Sequence, residues 1–445
     1  MFTMEFKNLL SIIFILSHNF LHGHSFKPES RGGHMATLVN DDRIFFFGGS
    51  RPIPMTSPAW NQTHQFNLSD EVFYLNLSSP FSVDSPPFTD LSDSSRMPFG
   101  SEKGTTVLGG NGQRIYLIGG VQQNMVTSDY NATNSILWIY TIKTQQWSNS
   151  GSGTHGTPLP RRRSAGTIID SKNVVYTFGG KVELDMGSSM FTIFDDLFTF
   201  DTNLLEWKNL SLPNHPSKRS HVTATLIPDG RIIYIGGVTQ SNPGDNGTRL
   251  LMTEIYVFDT IQLTWSLKTA NKPDSVNIDP RVGHSAVLAP DNHTIVIFGG
   301  TQDGFAQITA YPVFILLDVK SEPFQYLATT PSGSAPPPLA FHTATLYQKY
   351  MIVAFGNITN DFGPSNNTSA YVYLMDLSSY SWVTQFGKTS TDNTELIIII
   401  CSIVGGLVII CIMICLFIRK PWQIIPDPVV INKNNEQNDG NEQLH

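Results

Sequence analysis

The chain has 445 residues, a net charge of −8 and only 14% charged residues. A sparse and acidic charge balance excludes a nucleic-acid partner, which needs a basic face. All three cysteines, Cys401, Cys411 and Cys415, lie in one apolar run near the C-terminus. The rest of the chain therefore holds no disulfide, and its compartment has to be read from targeting segments.

Residues 1–25 read as a secretory signal peptide. Lys7 adds charge beside the α-amino group, residues 9–16 form an apolar core, and Gly23 and Ser25 suit a cleavage site. The apolar run is too short to cross a bilayer as a helix.

Residues 26–388 are built on a repeat. The run Arg43-Ile44-Phe45-Phe46-Phe47-Gly48-Gly49 is β-branched and aromatic, as a buried strand requires, and ends in a glycine pair that permits positive φ. Matching runs end at Gly119-Gly120, Gly179-Gly180, Gly236-Gly237 and Gly299-Gly300. A worn copy ends in Phe355-Gly356-Asn357, read with Gly356 as the first glycine and Asn357, the next-best residue for positive φ, as the second. Recurrence about every 60 residues marks a repeat architecture. Before each run comes a polar entry and a strand of small residues, with His34, His221, His284 and His342 read at one shared position. After each run comes a loop, then a strand often closing on Asp. An aromatic then opens a fourth strand: Phe88, Trp147, Trp207, Trp265, Phe324 or Trp382. Four short strands per unit make a propeller blade.

These units resemble the kelch repeat family over residues 31–386. The resemblance implies an all-β, six-bladed propeller with one blade per repeat. Units one and five carry Phe for the fourth-strand Trp, unit two lacks the entry Arg or His, and unit six lacks one glycine. Each unit supplies its own four strands, so the first and last units are expected to meet through side-chain packing alone. Strand alternation puts the entry to strand one, the loop after strand two and the exit from strand four on one face. The chain is thus expected to leave unit six on the same face as its long loops.

The longest loop, residues 50–70, carries Pro52, Pro54, Pro58 and Trp60. Long loops on a rigid scaffold are where binding residues gather. Asn61, Asn67, Asn76, Asn131, Asn209, Asn246, Asn292, Asn357, Asn366 and Asn367 each open an Asn-x-Ser/Thr sequon, a glycosylation acceptor in an exported chain.

Residues 389–395 form a linker to 396–418, an uncharged 23-residue run that is long enough to span a bilayer as a helix. Asp392 and Glu395 precede it and Arg419 and Lys420 follow it, which places the C-terminal side in the cytoplasm. The chain is therefore expected to be a type I protein of the plasma membrane. Ser402 and Gly406 offer small residues on which two spans can pack as a homodimer. Residues 419–445, rich in Asn, Gln and Asp, cannot bury enough apolar surface to fold and read as a disordered tail.

No phosphate loop, nucleophile elbow or zinc-protease helix is present. The four histidines could ring a metal near a central channel, but recurrence at one repeat position favours a structural role, because a catalytic site is asymmetric. The acidic pairs Asp41-Asp42 and Asp195-Asp196 sit at a turn and a strand start, where carboxylates are ordinary. The resemblance extends to galactose oxidase, whose copper site needs a tyrosine cross-linked to a cysteine. With no cysteine in residues 26–388 that cofactor cannot form, and no other cofactor or metal is expected. Two function classes remain. One is a membrane-tethered propeller binding an extracellular or same-membrane protein or glycan. The other is a carbohydrate-active enzyme with a site of another kind.

Overall fold

The computed structural model describes residues 26–387 apart from 53–65, 128, 130–134, 150–152, 184–189, 246, 304–305, 307 and 361–366. The stretches read as signal peptide, linker, span and tail lie outside the described residues. Among those described, no helix is long and apolar enough to cross a membrane.

Apart from one helical turn, Ser92–Ser95, the described chain is all β. Each repeat unit contributes four antiparallel strands in chain order. In unit one these are Met35–Val39, Arg43–Phe47, Val72–Asn76 and Phe88–Asp90. The second strands are the glycine-ended runs, buried on both faces, as their unbroken apolar sequence demands. The first strands of successive units are neighbours, and that of unit six neighbours that of unit one, so the fold is propeller-like.

Outer edges are stitched between units. His155–Gly156 runs parallel to Glu206–Leu210, and Ser332–Gly333 runs parallel to Ser381–Val383. The long strand Thr264–Asn271 continues into parallel pairing with Phe324–Leu327, joining units four and five in one eight-stranded sheet.

A separate apolar cluster fills each junction between neighbouring units. Ile44, Phe46 and Phe73 of unit one pack with Ile352, Phe355 and Leu374 of unit six, so the junction of the chain ends is as apolar as the others. Equivalent clusters join the remaining neighbours around the ring.

Three expectations about the chain ends need correction. First, the end units do not meet through side chains alone. Gln385–Phe386 pairs antiparallel with Phe81–Ser82, in the connection between the third and fourth strands of unit one. No main sheet borrows a strand for this, since unit one's four all lie within residues 35–90.

Second, the chain does not leave on the long-loop face. The fourth strand of unit six is only Ser381–Val383, after which the chain bends outward. Phe386 stacks on Phe81 at 4.9 Å and lies against Tyr347 and Tyr350, which flank the turn between the first two strands of unit six. That turn belongs to the opposite face, so the described chain enters on one face and ends at the edge of the other.

Third, the worn glycine pair is Phe355-Gly356. The second strand of unit six ends at Ala354, so Phe355 takes the first-glycine position at φ 55° and Gly356 takes the second at φ 102°. The side chain gained there is used. Its ring meets those of His34 (5.1 Å), Phe46 (5.4 Å) and Phe73 (5.8 Å), all of unit one.

Phe355→Ala is expected to cost about 3–5 kcal/mol in denaturant unfolding of the protein, from lost burial and the cavity left behind. Phe355→Gly relieves left-handed strain of about 1–2 kcal/mol, yet should still be less stable than the native chain. A neutral or stabilising Phe355→Gly would show that the ring does not hold the junction.

Candidate functional site

The site is framed by backbone. The second glycine of each unit donates its N–H to the entry carbonyl of the next: Gly49 to Ser101 (2.7 Å), Gly120 to Arg162 (2.9 Å), Gly180 to Arg219 (2.8 Å) and Gly237 to Arg281 (3.0 Å). Gly300 donates to Leu339 and Gly356 to Arg31, both at 2.8 Å, which closes the circle. A Cβ at Gly48, Gly119, Gly179 or Gly299 would collide with the same carbonyl, at 2.4 Å for Gly119 against Arg162 O.

The entry residue of four units is a fully buried arginine: Arg31, Arg162, Arg219 and Arg281. Arg31, Arg162 and Arg281 each donate Nη1 to the first-glycine carbonyl of their own unit at 2.9 Å. Arg31 pairs with Glu71 at 2.5 Å, and Arg162 with Asp196. Burial would raise the Glu71 carboxyl, but the Arg31 guanidinium overrides it and holds it below the usual range. Arg281 has four carbonyls instead of a carboxylate, and burial brings its pKa down to about 10. Arg219 lies 4.3 Å over the ring of Tyr256. These side chains lock entry segments to glycine turns. Asp196, read from sequence as an ordinary strand-start carboxylate, is one of their partners. The Arg161-Arg162-Arg163 run hid which arginine is the buried one.

The histidines also join units. His34 Nε2 meets Thr343 Oγ1 at 2.8 Å, His342 Nε2 meets Ser285 Oγ at 2.9 Å, and His284 Nε2 meets Thr223 Oγ1 at 3.4 Å. Each partner is a first-strand hydroxyl of the preceding unit. His221 does not share their position. It comes one residue earlier in its unit, at φ 57°. Among the described residues, no group of three or more His, Cys, Asp or Glu is placed to hold a metal.

His221 belongs to an inner ring. Gly33, Lys103, Ser164, His221, Gly283 and Phe341 all take left-handed φ, between 55° and 67°. Around this ring the Lys103 N–H donates to Gly33 O, Ser164 to Lys103, His221 to Ser164, Phe341 to Gly283 and Gly33 to Phe341, at 2.7–2.9 Å. The side chains converge where the glycines leave room. Phe341 lies under Lys103 Nζ (5.1 Å from the ring centroid) and beside the His221 ring (6.0 Å).

Charge gathers on one side of this mouth. Arg163 pairs with Glu183 and lies 3.9 Å from Glu102, which is 3.4 Å from Lys103. Lys181 and Arg249 complete the group, both in hairpins after the second strand. Burial would raise the carboxyls of Glu102 and Glu183. Lys103 and Arg163 hold Glu102 low, and Arg163 holds Glu183 low. The entry segments and these hairpins pair directly, as in Arg163 with Lys181 and Ser220 with Val238, so mouth and long loops share a face as expected. Lys103, Lys181 and Arg249 had no signal in the sequence, because no other unit carries a cation at the Lys103 or Lys181 position and nothing in the repeat marks these residues out.

The repeat glycines all take positive φ. Of the sequon asparagines, Asn209, Asn292 and Asn367 are exposed, and Asn67 and Asn76 are half-buried. Asn61, Asn131, Asn246 and Asn366 lie outside the described residues. Asn357 is packed into the junction of the end units. Its Oδ1 is buried without a partner, and a Cβ on Gly32 would sit 1.6 Å from it.

A pH dependence follows from the histidines. Burial, with Arg281 adding repulsion, pushes His284 down to about 3, and burial pushes His342 down to about 4. Both lie below the unfolded value near 6.5. The unfolded state therefore binds more protons between these values, and stability is full above about pH 6.5 and lost as pH falls. Each histidine should withdraw on the order of 3 kcal/mol by about pH 4. Thermal unfolding against pH should show a falling Tm, with a flatter profile in His284→Gln and His342→Gln.

The Attractin/LZTR1 β-propeller family matches residues 16–271 and 115–400 of the chain. Among curated proteins, a Kelch repeat-containing protein of Arthroderma benhamiae is 22% identical over 80% of this chain and 57% of its own length. Acyl-CoA-binding domain-containing protein 5 of Arabidopsis thaliana is 23% identical over 60% of the chain and 37% of its own. Kelch domain-containing protein 1 of Homo sapiens is 25% identical over 42% of each. The chain thus spans between about a third and somewhat over half of the length of these three relatives. Kelch-type propellers are generally protein-interaction modules. With glycine-ended strands, entry arginines and a closed circle of first strands already in place, the chain belongs to the Attractin/LZTR1 β-propeller family of kelch-repeat proteins.

Proposed function

We propose that this chain is a six-bladed, non-catalytic kelch propeller, tethered to a cell-surface membrane by residues 396–418, that binds a protein partner with its long-loop face. The observation that carries this reading is the lopsided chemistry of that face. A ring that is repetitive in its backbone presents an uneven charge cluster at its mouth. The connections after the second strands also hold most of the exposed large apolar residues, among them Met190 (49%), Leu251 (54%), Ile308 (47%) and Tyr371 (58%). Aromatic side chains and Met are enriched at protein-binding surfaces relative to the rest of a protein's exterior. Arg31, Arg162 and Arg281 are occupied in holding entry segments to their own turns, and His34, His284 and His342 in joining neighbouring units.

The described chain ends at Gly387, at the edge of the face opposite the long loops. The signal peptide, the sequons and the Arg419-Lys420 flank support export with a cytoplasmic tail.

Two measurements test the reading. Full-length protein on intact cells should lose apparent mass on enzymatic deglycosylation, and a C-terminal tag should be protected from external protease. An unglycosylated chain with a cleavable tag refutes the topology. In cross-linking capture from the same cells, Leu251→Asp with Ile308→Asp should weaken recovery of a partner at least about tenfold. Leu204→Asp, on the opposite face, should leave it unchanged. Equal recovery with both would remove the long-loop face as the binding surface.

A further inference from the structure

Four cations meet at the mouth: Lys103, Arg163, Lys181 and Arg249. Glu102 and Glu183 face them, and Asp303 acts on Arg249 from the next unit. Most of this charge is matched. Arg163 has Glu183 and Glu102, and Lys103 has Glu102. Arg249 donates Nε to Gln302 O at 3.1 Å.

Lys181 is the exception. Its backbone is fixed by exchange of both hydrogen bonds with Arg163. Its ammonium makes no hydrogen bond or ion pair among the described residues, and rests 4.4 Å from the ring centroid of Phe191. The residue is half-buried, so water compensates the charge only in part. Burial first, then Arg163 and Lys103, push its pKa down to about 7, and Glu183 offsets this only partly. Beside it, Arg163 Nε and Ser164 Oγ are buried without partners. The cavity next to them measures about 10 Å3, room for one water at most. A negative group of any size therefore has to approach from the open Lys181 side. That side is rimmed by exposed apolar groups, Met190 next to Phe191 and Leu251 two residues from Arg249.

We infer that Lys181, flanked by Arg249 and Arg163, seats a side-chain carboxylate from an acidic segment of the partner protein. The inference rests on the long-loop face being the binding surface, and it names the chemistry that face recognises. A carboxylate relieves the repulsion among the cations and supplies the acceptor that Lys181 lacks. The apolar rim fits aliphatic side chains next to that carboxylate, which a bare anion or a sugar hydroxyl would leave unused. His221, half-buried and held well below its usual pKa by desolvation and the neighbouring cations, stays neutral and adds no further positive charge. Binding is strongest with Lys181 protonated, so affinity falls as pH rises through about 7.

The test uses full-length protein in detergent and three probes: a short labelled peptide alternating Glu and Leu, its Gln-Leu counterpart, and free glutarate. The Glu-Leu peptide should bind saturably, and its Kd should weaken between about pH 6 and about pH 8. Lys181→Met should weaken it at least about tenfold at the lower pH. Lys181→Arg, which stays charged, should keep the affinity and flatten the pH profile. Equal binding of the Gln-Leu peptide would reduce the site to apolar docking and overturn the inference. Glutarate binding as tightly as the peptide would mark a small-anion site, which also overturns it. If Lys181→Met leaves partner capture from cells intact while Leu251→Asp with Ile308→Asp abolishes it, this inference fails and the binding face stands.

Discussion

The structure depends on a close approach of backbone to backbone. At five junctions the glycine turn of one unit lies against the entry carbonyl of the next, and at four of them, after Gly48, Gly119, Gly179 and Gly299, a Cβ on the first glycine would overlap it; at the sixth Phe355 takes that place. One N–H···O bond per junction carries the chain around the axis and back to Arg31. Everything packed outside this circle is held in register by it: the second strands that end in the turns, the clusters between units, and the arginines that reach back to the first-glycine carbonyl. A turn that bonds the neighbouring unit cannot form alone, so the units are stable only together. Three buried arginines strengthen the same contact, since the guanidinium groups of Arg31, Arg162 and Arg281 bring an entry segment onto its own turn, and acidic partners of Arg31 and Arg162 and carbonyls around Arg281 offset the burial of the charge.

Much of this was legible in the sequence, for a physical reason. A buried strand needs an unbroken run of β-branched and aromatic residues, and a turn at positive φ needs glycine, so both leave patterns that repeat. The aromatic of the fourth strand is legible for the same reason in five units, as a large side chain at one register position; in unit five that position, opposite Leu317, belongs to Tyr326 and not to Phe324, which lies two residues earlier. Register was harder to read. His221 looked like a member of the histidine set because it sits one residue from their position, and only the left-handed backbone distinguishes it. Phe355 was hidden because phenylalanine is an unexpected residue at positive φ, which made Asn357 the natural reading of the missing glycine. The exit of the chain was misplaced because strand alternation treats every strand as equally long. The last fourth strand has three residues, and beyond it the chain turns to the far face.

The departures from the repeat have a common logic. Unit six is the one unit whose entry residue, Leu339, and first turn residue, Phe355, differ together from the arginine and glycine found in most of the others. Without the arginine, no guanidinium has to reach the turn carbonyl. With Phe in place of Gly, the turn contributes packing across the junction where the chain ends meet. Elsewhere the chain is continuous from one unit to the next, and covalent linkage helps to keep neighbours together. At the end junction it cannot, and an added aromatic contact and a two-residue ladder stand in for it.

The same reasoning explains where recognition chemistry can arise. Along strands and turns, each repeat position is tied to one residue type by packing or by φ. The inner ring is tied only by its backbone: it asks for a left-handed φ and an N–H, and any side chain willing to bear that strain satisfies both. Four of its six members, Lys103, Ser164, His221 and Phe341, are not glycine. Each accepts an unfavourable conformation of about 1–2 kcal/mol that glycine, used at the other two positions, would avoid. Their side chains differ from one another and meet at the axis, on the face that also carries the long loops. A scaffold that uses backbone for closure frees side chains for discrimination. In this chain, that freedom lies at the mouth of the ring, where Lys103 and Phe341 meet and the neighbouring cations gather.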